Sequence, residues 1–161
     1  MAYRVLTGDI YNQEAMNIPR VIVHGCNAQG KMASGFAKTI RERWPKAYDA
    51  YMLKYRLEGL RPGEIIVVPV SPTLVIVNAI TQEFYGYDGA KYVIPEAVGE
   101  CFKQINEYVL DYRNNRGVEL EVHFPSIGCS LGGGTWDEIE PQILNNLDSS
   151  INSVLWIKEG N

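Results

Sequence analysis

The chain has 161 residues, of which 46% are hydrophobic, and a formal net charge of −4. This length suits one domain, covering residues 1–161, whose core needs neither disulfides nor metal ions. The acidic balance and the even scatter of Lys and Arg exclude the basic surface that drives nucleic-acid binding, so we expect a small ligand and no nucleic-acid partner.

Short runs rich in Val and Ile, bounded by Gly, Pro, Asn or Ser, predict about six β-strands. They lie at residues 3–6, 21–23, 64–70, 74–80, 119–124 and 154–157. The third and fourth runs are joined by a short link at Ser71-Pro72, which permits a local antiparallel pair. We therefore expect a mixed sheet.

Helical stretches separate most of these strands, because apolar residues recur there every three or four positions. Thr135 and Glu138 have the spacing of a capping box at the start of the last helix. The alternation of strands and helices predicts an α/β fold. The helical faces are Phe36, Ile40 and Trp44 before Pro45; Ala97, Cys101, Ile105, Tyr108 and Val109; and Ile139, Ile143, Leu144, Leu147 and Ile151.

Two glycine-rich segments each follow a strand and precede a helix. The first is His-Gly-Cys-Asn-Ala-Gln-Gly-Lys-Met-Ala-Ser-Gly at 24–35, and the second is Ser-Ile-Gly-Cys-Ser-Leu-Gly-Gly-Gly at 126–134. Glycine lets backbone N–H groups approach an anion, and the following helix attracts negative charge. Since ligands bind outside the carboxyl ends of such strands, the two segments predict a ligand with two phosphates.

These segments do not match the common nucleotide-binding patterns. Residues 30–37 have the glycine spacing of a P-loop, but Phe36 and Ala37 stand where Lys and Ser or Thr would contact phosphates and magnesium. Gly25, Gly30 and Gly35 lack the tight turn of the dinucleotide fingerprint. Nucleoside triphosphatases and dinucleotide-binding domains are therefore excluded.

The cysteines give no sign of a disulfide framework or a metal site. Cys26, Cys101 and Cys129 have neither CxxC nor Cys/His ligand spacing, which favours reduced thiols. The first residues lack an apolar signal region, and no apolar run approaches membrane-spanning length. We expect a cytoplasmic monomer with no metal, no cofactor and no membrane partner.

Four motifs, in this order, resemble those of macro domains. They are Gly-Asp-Ile at 8–10, Val-Ile-Val-His-Gly-Cys-Asn-Ala at 21–28 with the segment to Gly35, Val-Asn-Ala-Ile-Thr-Gln at 77–82, and Phe-Pro-Ser-Ile-Gly-Cys-Ser-Leu-Gly-Gly at 124–133. The resemblance covers nearly the whole chain and is strongest to the compact branch of ADP-ribose 1''-phosphate phosphatases and terminal ADP-ribose protein glycohydrolases. It implies a three-layer α/β/α fold.

The resemblance implies that ADP-ribose or ADP-ribose 1''-phosphate binds this chain. Asp9 would accept the adenine amino group, beside Gly8 and with Ile10 against the base edge, although Asp9 also suits a helix cap. Either glycine segment alone also suits a plain turn. The distal ribose would contact Gly25, Cys26, Asn27, Met32, Ala33, Ser34, Gly35 and Phe36. Backbone N–H groups of Ser126, Ile127, Gly128, Cys129, Ser130, Leu131, Gly132 and Gly133 would bind the diphosphate.

Asn27 and His24 are the candidate catalytic residues. The Asn27 amide can accept from a ribose hydroxyl and donate to a phosphate or a water, although Asn also suits a turn. His24 is a candidate general acid or else a buried histidine. His123 is assigned to structure by strand alternation. Cys129 is assigned to packing, because residues 130–134 lack the arginine that a thiolate phosphatase needs.

With these residues, the resemblance implies a metal-independent phosphatase acting on ADP-ribose 1''-phosphate. Two alternatives stay open: a non-catalytic ADP-ribose-binding module, and a hydrolase that removes ADP-ribose from modified macromolecules. The lysine-based mechanism of the related glycohydrolase is unsupported, since Gln82 and Gly132 occupy the positions of its lysine and aspartate. Tyr85, Tyr87 and Trp156 are candidates for stacking on adenine.

Overall fold

The computed structural model of the protein describes residues 3–11 and 17–158. Its elements confirm the predicted strands, with shifted ends. In chain order they are β1 (Arg4–Thr7), β2 (Arg20–Asn27), α1 (Gly35–Arg43), α2 (Pro45–Leu57), β3 (Ile65–Ser71), β4 (Leu74–Gln82), α3 (Pro95–Arg116), β5 (Glu121–Phe124), α4 (Trp136–Leu144) and β6 (Ser153–Ile157).

The strands of the described ranges form one six-stranded sheet in the order β1-β6-β5-β2-β4-β3. In this order the first five strands, β1, β6, β5, β2 and β4, pair in parallel with their neighbours. The edge strand β3 pairs antiparallel with β4. On one face, Ile22 and Ile76 pack with Ile40 of α1. On the other face, Val21 packs with residues of α3 and α4 such as Phe102. The predicted three-layer α/β/α fold with a mixed sheet is confirmed.

The parallel strands all end at one edge of the sheet, and a crevice opens there between β2 and β5. The chain after β2 turns to α1 on one face of the sheet. The chain after β5 turns to α4 on the opposite face. Neighbouring strands whose connections diverge in this way create the ligand-binding crevice of α/β sheets.

The starts of two helices differ from the sequence pattern. The prediction ended a helix before Pro45 and placed none after it, but α2 begins at Pro45, because proline lacks only an N–H that the first helical position does not need. Only Ala47 and Tyr51 of α2 are buried, so its apolar pattern is weak. Helix α4 begins after Thr135 as predicted, yet Thr135 makes no side-chain cap bond and instead donates to Glu138 at 3.3 Å.

The end of α4 also differs from the prediction. The helix stops at Leu144, before the predicted Leu147 and Ile151. The Asp148 carboxylate accepts from the N–H of Ser150 at 2.9 Å and so forms a turn that competes with helix. None of the helices in residues 3–11 and 17–158 is long and apolar enough to cross a membrane.

Candidate ligand-binding cleft

A cleft of about 910 Å³ runs along the carboxyl edge of the sheet, a size typical of small-molecule sites. Every parallel strand contributes to it. The lining comprises residues 8–11 after β1, 25–27 of β2, 81–82 of β4, 125–128 and 130–132 after β5, and 156 and 158 at β6. Its walls also include Lys31, residues 34–37, Thr39 and Arg43 at helix α1, and residues 85–87.

Most of the predicted contact residues line this cleft, which brings the separate motifs together. They are Gly8, Asp9, Ile10, Gly25, Cys26, Asn27, Ser34, Gly35, Phe36, Ser126, Ile127, Gly128, Ser130, Leu131 and Gly132. The predicted residues outside the lining are His24, Met32, Ala33, Cys129 and Gly133. Met32 is 1% exposed because it packs in the core below the first segment, and Ala33 is exposed but is not a lining residue. Their predicted ligand contacts are not supported.

The second glycine segment presents backbone N–H groups to the cleft. In the described part of the chain, the N–H groups of Ser130, Leu131 and Gly132 have no acceptor. Consecutive groups of this kind form an anion-binding nest. The N–H groups of Cys129 and Gly133 instead donate to carbonyls of their own segment at 3.2 and 3.1 Å, so diphosphate contacts through them are not supported.

The glycines and the thiol of this segment hold its shape. Gly128 has a φ of +76°, and a Cβ there would lie 2.4 Å from Val93 Cγ2, so only glycine fits. Cys129 is half-buried and its thiol donates to the Ile127 carbonyl at 3.4 Å. Burial raises the pKa of Cys129, which disfavours a thiolate and agrees with its assigned packing role.

The N-terminus of α1 lies opposite this nest. Ser34 is its N-cap and makes no side-chain cap bond, so the first N–H groups of the helix are open to a ligand. A Cβ on Gly35 would lie 3.5 Å from Leu131 Cδ1, so the start of α1 and the second glycine segment are in close contact. The Tyr87 hydroxyl donates to Ser34 Oγ at 3.0 Å. Two anion-attracting elements therefore face one cleft.

Asn27 closes the first segment with its own side chain. Its Nδ2 donates to the Lys31 carbonyl at 2.7 Å. Its Oδ1 accepts from the N–H groups of Gln29 and Lys31 at 3.0 and 3.3 Å. The Tyr51 hydroxyl donates to the Asn27 carbonyl at 2.6 Å and lies 3.1 Å from Oδ1. Asn27 therefore acts as a turn residue, one of the two roles expected from the sequence. Because Oδ1 already accepts hydrogen bonds from the protein, the role left to the amide toward a ligand is that of a donor.

His24 does not reach the cleft. It is fully buried, and its Nε2 lies 2.5 Å from Oδ1 of Asn78, its register partner in β4. Burial lowers the pKa of His24 to about 4, so the ring is neutral near pH 7. The predicted role of His24 as general acid is not supported, because it has neither access to a ligand nor a proton to give.

Aromatic side chains line the end of the cleft at β1 and β6. Tyr11 stacks on Phe36 with ring centroids 5.4 Å apart. Trp156 lies beside Gly8, since a Cβ on that glycine would be 3.9 Å from its ring. Asp9 is exposed here and accepts from the Tyr11 N–H at 2.8 Å, a turn-forming bond. This end combines apolar rings with an exposed carboxylate.

Only one of the three adenine-stacking candidates lies at that end. Trp156 is close to Asp9, whereas Tyr85 and Tyr87 follow β4 at the opposite end of the cleft. The Trp156 indole donates to His123 Nδ1 at 2.8 Å, and His123 is 2% exposed. His123 therefore supports the ring from behind, in line with its assigned structural role.

The cleft carries more positive than negative side chains, although the chain as a whole is acidic. Lys31, Arg43 and Lys158 line it together with Asp9. This balance suits an anionic ligand. Sequence reasoning missed these cations because they come from three separate segments that only folding joins. Across the described ranges, no three His, Cys, Asp or Glu side chains are grouped to share a metal ion.

Comparison with known proteins agrees with this geometry. A statistical model of the Macro domain family matches residues 23–143. The ADP-ribose 1''-phosphate phosphatase of Candida glabrata is 22% identical over 85% of this chain and 89% of that protein. A macrodomain protein from Streptomyces coelicolor superimposes with a TM-score of 0.78 at 26% identity, covering 96% of this chain and 98% of that chain. DarTG of Thermosipho africanus in complex with ADP-ribose superimposes with a TM-score of 0.71 at 14% identity, covering 99% of this chain and 43% of that chain.

Proposed function

The chain belongs to the macro domain family, whose members bind ADP-ribose, and on that premise we propose that an extended ADP-ribose unit lies along the cleft. The observation that carries the proposal is the order of the strands. From β1 and β6 through β5 to β2 and β4, the cleft offers an aromatic end with Asp9, then the N–H nest, then Asn27. Adenosine, diphosphate and distal ribose follow one another in the same order along the ligand.

The middle of the cleft suits the diphosphate. The nest at residues 130–132 and the start of α1 offer N–H groups from two sides, and these neutral donors need no metal ion to bind phosphate oxygens. The surrounding cations Lys31, Arg43 and Lys158 add long-range attraction. Each phosphate thereby has donors within its reach.

The aromatic end suits the adenosine. Asp9 has a second carboxylate oxygen available besides the one that accepts from Tyr11, and it can accept from the adenine amino group. Trp156 is the stacking candidate in the right place, with its indole N–H already used by His123. This arrangement selects adenine over a base that presents a carbonyl at that position.

We propose further that the chain hydrolyses ADP-ribose 1''-phosphate. Support comes from the relative with that activity in Candida glabrata and from the Asn27 amide. One of its two N–H groups donates to the Lys31 carbonyl, and the other can donate at the end where the 1''-substituent would extend. In the reaction a water oxygen bonds to phosphorus, the bond from phosphorus to the ribose oxygen breaks, and the water's proton passes to that oxygen. Asn27 would orient the phosphate during this step.

A binding module without catalysis is the second candidate. It is favoured because no carboxylate among the described lining residues lies near Asn27 to act as a general base. The one carboxylate of that lining, Asp9, lies at the adenosine end. With His24 buried and neutral, the distal end offers no titratable acid–base pair. Backbone donors alone suffice for binding.

Removal of ADP-ribose from macromolecules is the third candidate, without the lysine-based route. Gln82 stands at the lysine position and donates to the Phe84 carbonyl at 2.7 Å. A Cβ on Gly132 would lie 2.7 Å from the Gly128 carbonyl oxygen, so an aspartate at position 132 does not fit this segment. Any such hydrolysis would rely on water positioned by Asn27.

Calorimetry and a phosphate-release assay test these proposals together. We expect the protein to bind ADP-ribose and to release phosphate from ADP-ribose 1''-phosphate. Binding without release would favour the module, and absence of ADP-ribose binding would refute the whole proposal. Release of ADP-ribose from modified protein or nucleic acid would identify the third candidate.

A matched pair of variants tests the backbone nest. Gly132→Ala forces its segment to move and should weaken ADP-ribose binding at least tenfold, whereas Ser130→Ala keeps its N–H and should change the affinity less than twofold. Equal effects of the two variants would contradict recognition through the backbone.

A further inference from the structure

Thr81 occupies an irregular position in the sheet, beside the cleft. In the pairing of β2 with β4, Cys26 is the partner of Ile80 and Asn27 is the partner of Gln82, which leaves Thr81 as the extra residue of a bulge. Bulges next to binding sites turn a side chain away from its regular direction. The backbone is held there, because the Thr81 carbonyl accepts from the Ile94 N–H at 2.9 Å.

Thr81 is one of the residues that line the cleft, and its hydroxyl is buried. The residue is 1% exposed, and within the described ranges its Oγ1 makes no hydrogen bond. An unpaired buried hydroxyl destabilises a fold, so it is usually satisfied by protein, water or ligand. The described part of the surrounding protein does not satisfy this one.

Gly25, another lining residue of the cleft, lies directly against this hydroxyl and places no side chain over it. A Cβ at position 25 would lie 2.8 Å from Thr81 Oγ1 and 3.3 Å from Ile127 Cγ2. The missing side chain therefore forms a small niche with one polar group, the Thr81 hydroxyl, and an apolar wall from Ile127. Any larger residue at position 25 would cover the hydroxyl.

We propose that this niche, which we call the Thr81 niche, recognises an oxygen of the distal ribose through a hydrogen bond with Thr81 Oγ1. The inference rests on the proposed function, because it takes the end of the cleft at β2 and β4 as the ribose end. A hydroxyl both donates and accepts, so it matches a ribose hydroxyl or the oxygen at C1'' in either role. The niche thereby distinguishes ADP-ribose from ADP, which has no distal ribose.

The test compares Thr81→Val with Thr81→Ser by calorimetry, using ADP-ribose and ADP as ligands. Valine keeps the shape and removes the hydroxyl, and serine keeps the hydroxyl. We expect Thr81→Val to weaken ADP-ribose binding about tenfold, as for one lost hydrogen bond, and to leave ADP binding unchanged. Thr81→Ser should bind ADP-ribose within about threefold of wild type.

Thermal unfolding distinguishes this role from a structural one. If the Thr81 hydroxyl stabilised the fold, Thr81→Val would lower the unfolding temperature. Because Oγ1 has no partner in the described ranges, Thr81→Val should unfold at the same temperature as wild type or a higher one. Unchanged ADP-ribose affinity in Thr81→Val would overturn the inference, as would equal losses for ADP and ADP-ribose. If wild type binds no ADP-ribose, the proposed function itself fails, so the two failures are distinct.

Discussion

Acidification should destabilise the fold through His24, well before the carboxylates titrate. Burial lowers the pKa of His24 to about 4 from 6.5, and its ring contacts are the Asn78 amide, the Cys26 thiol and the Phe36 ring, none of which is an anion. Between those two pH values the unfolded chain binds a proton at this position that the folded chain does not. Stability is therefore complete above about pH 6.5 and falls as the pH drops toward 4.

The size of the effect follows from the pKa difference. Roughly 2.5 pH units at about 1.4 kcal/mol per unit give a loss of ~3 kcal/mol, a large part of the 5–15 kcal/mol that typically holds a domain of about this size. Burial also lowers the pKa of His123 to about 4, and this adds in the same direction. Its share should be smaller, because Glu121 Oε1 lies 2.9 Å from Nε2 and can pair with the protonated ring, although Arg20 opposes this at Nδ1.

Urea unfolding followed by tryptophan fluorescence, from about pH 7.5 down to about pH 4.5, measures the effect. The matched variant is His24→Gln, which keeps a donor for Asn78 and does not titrate. We expect a lower but flatter stability for His24→Gln, with the difference from wild type shrinking by ~2.5 kcal/mol across that range. A wild-type stability that stays constant down to pH 5, or the same slope in both proteins, would refute the reasoning.

Three further predictions concern the cleft. Gly128→Ala should lose about 2–4 kcal/mol of unfolding free energy in urea, from the left-handed φ and the overlap with Val93; an unchanged midpoint would contradict this. Asp9→Asn, which keeps an oxygen for the turn, should weaken ADP-ribose binding about tenfold by calorimetry and leave ribose 5-phosphate unaffected; equal losses would argue against an adenine contact. Asn27→Ala should slow phosphate release from ADP-ribose 1''-phosphate at least tenfold while ADP affinity changes less than twofold, and full turnover would remove Asn27 from the mechanism.

Much of the fold can be predicted from the sequence because its signals are local. Runs of Val and Ile mark the strands, and the two glycine segments mark the turns that follow β2 and β5. Helix α2 was not predicted, because Pro45 is compatible both with the end of one helix and with the start of the next. Local signals of this kind specify the type of an element better than its ends.

The roles of individual side chains were less predictable, because they depend on contacts across the sheet. His24 stands next to a glycine segment in the sequence, yet its pairing with Asn78 of β4 turns it into the core. The thiol of Cys129 and its N–H are used within their own segment, which no spacing rule reveals. Proximity in sequence to a site is therefore a weak guide to access to it.

The sequence by itself determined the α/β architecture, the two glycine segments and the position of the cleft at the carboxyl edge, since strand periodicity and glycine conformation are properties of short segments. The tertiary structure alone decided which N–H groups remain unpaired and which cations share the cleft with Asp9. It also left the Thr81 hydroxyl without a described partner beside Gly25. Hydrogen-bond satisfaction and charge balance are properties of atoms brought together from distant segments, and those exist only once the chain has folded.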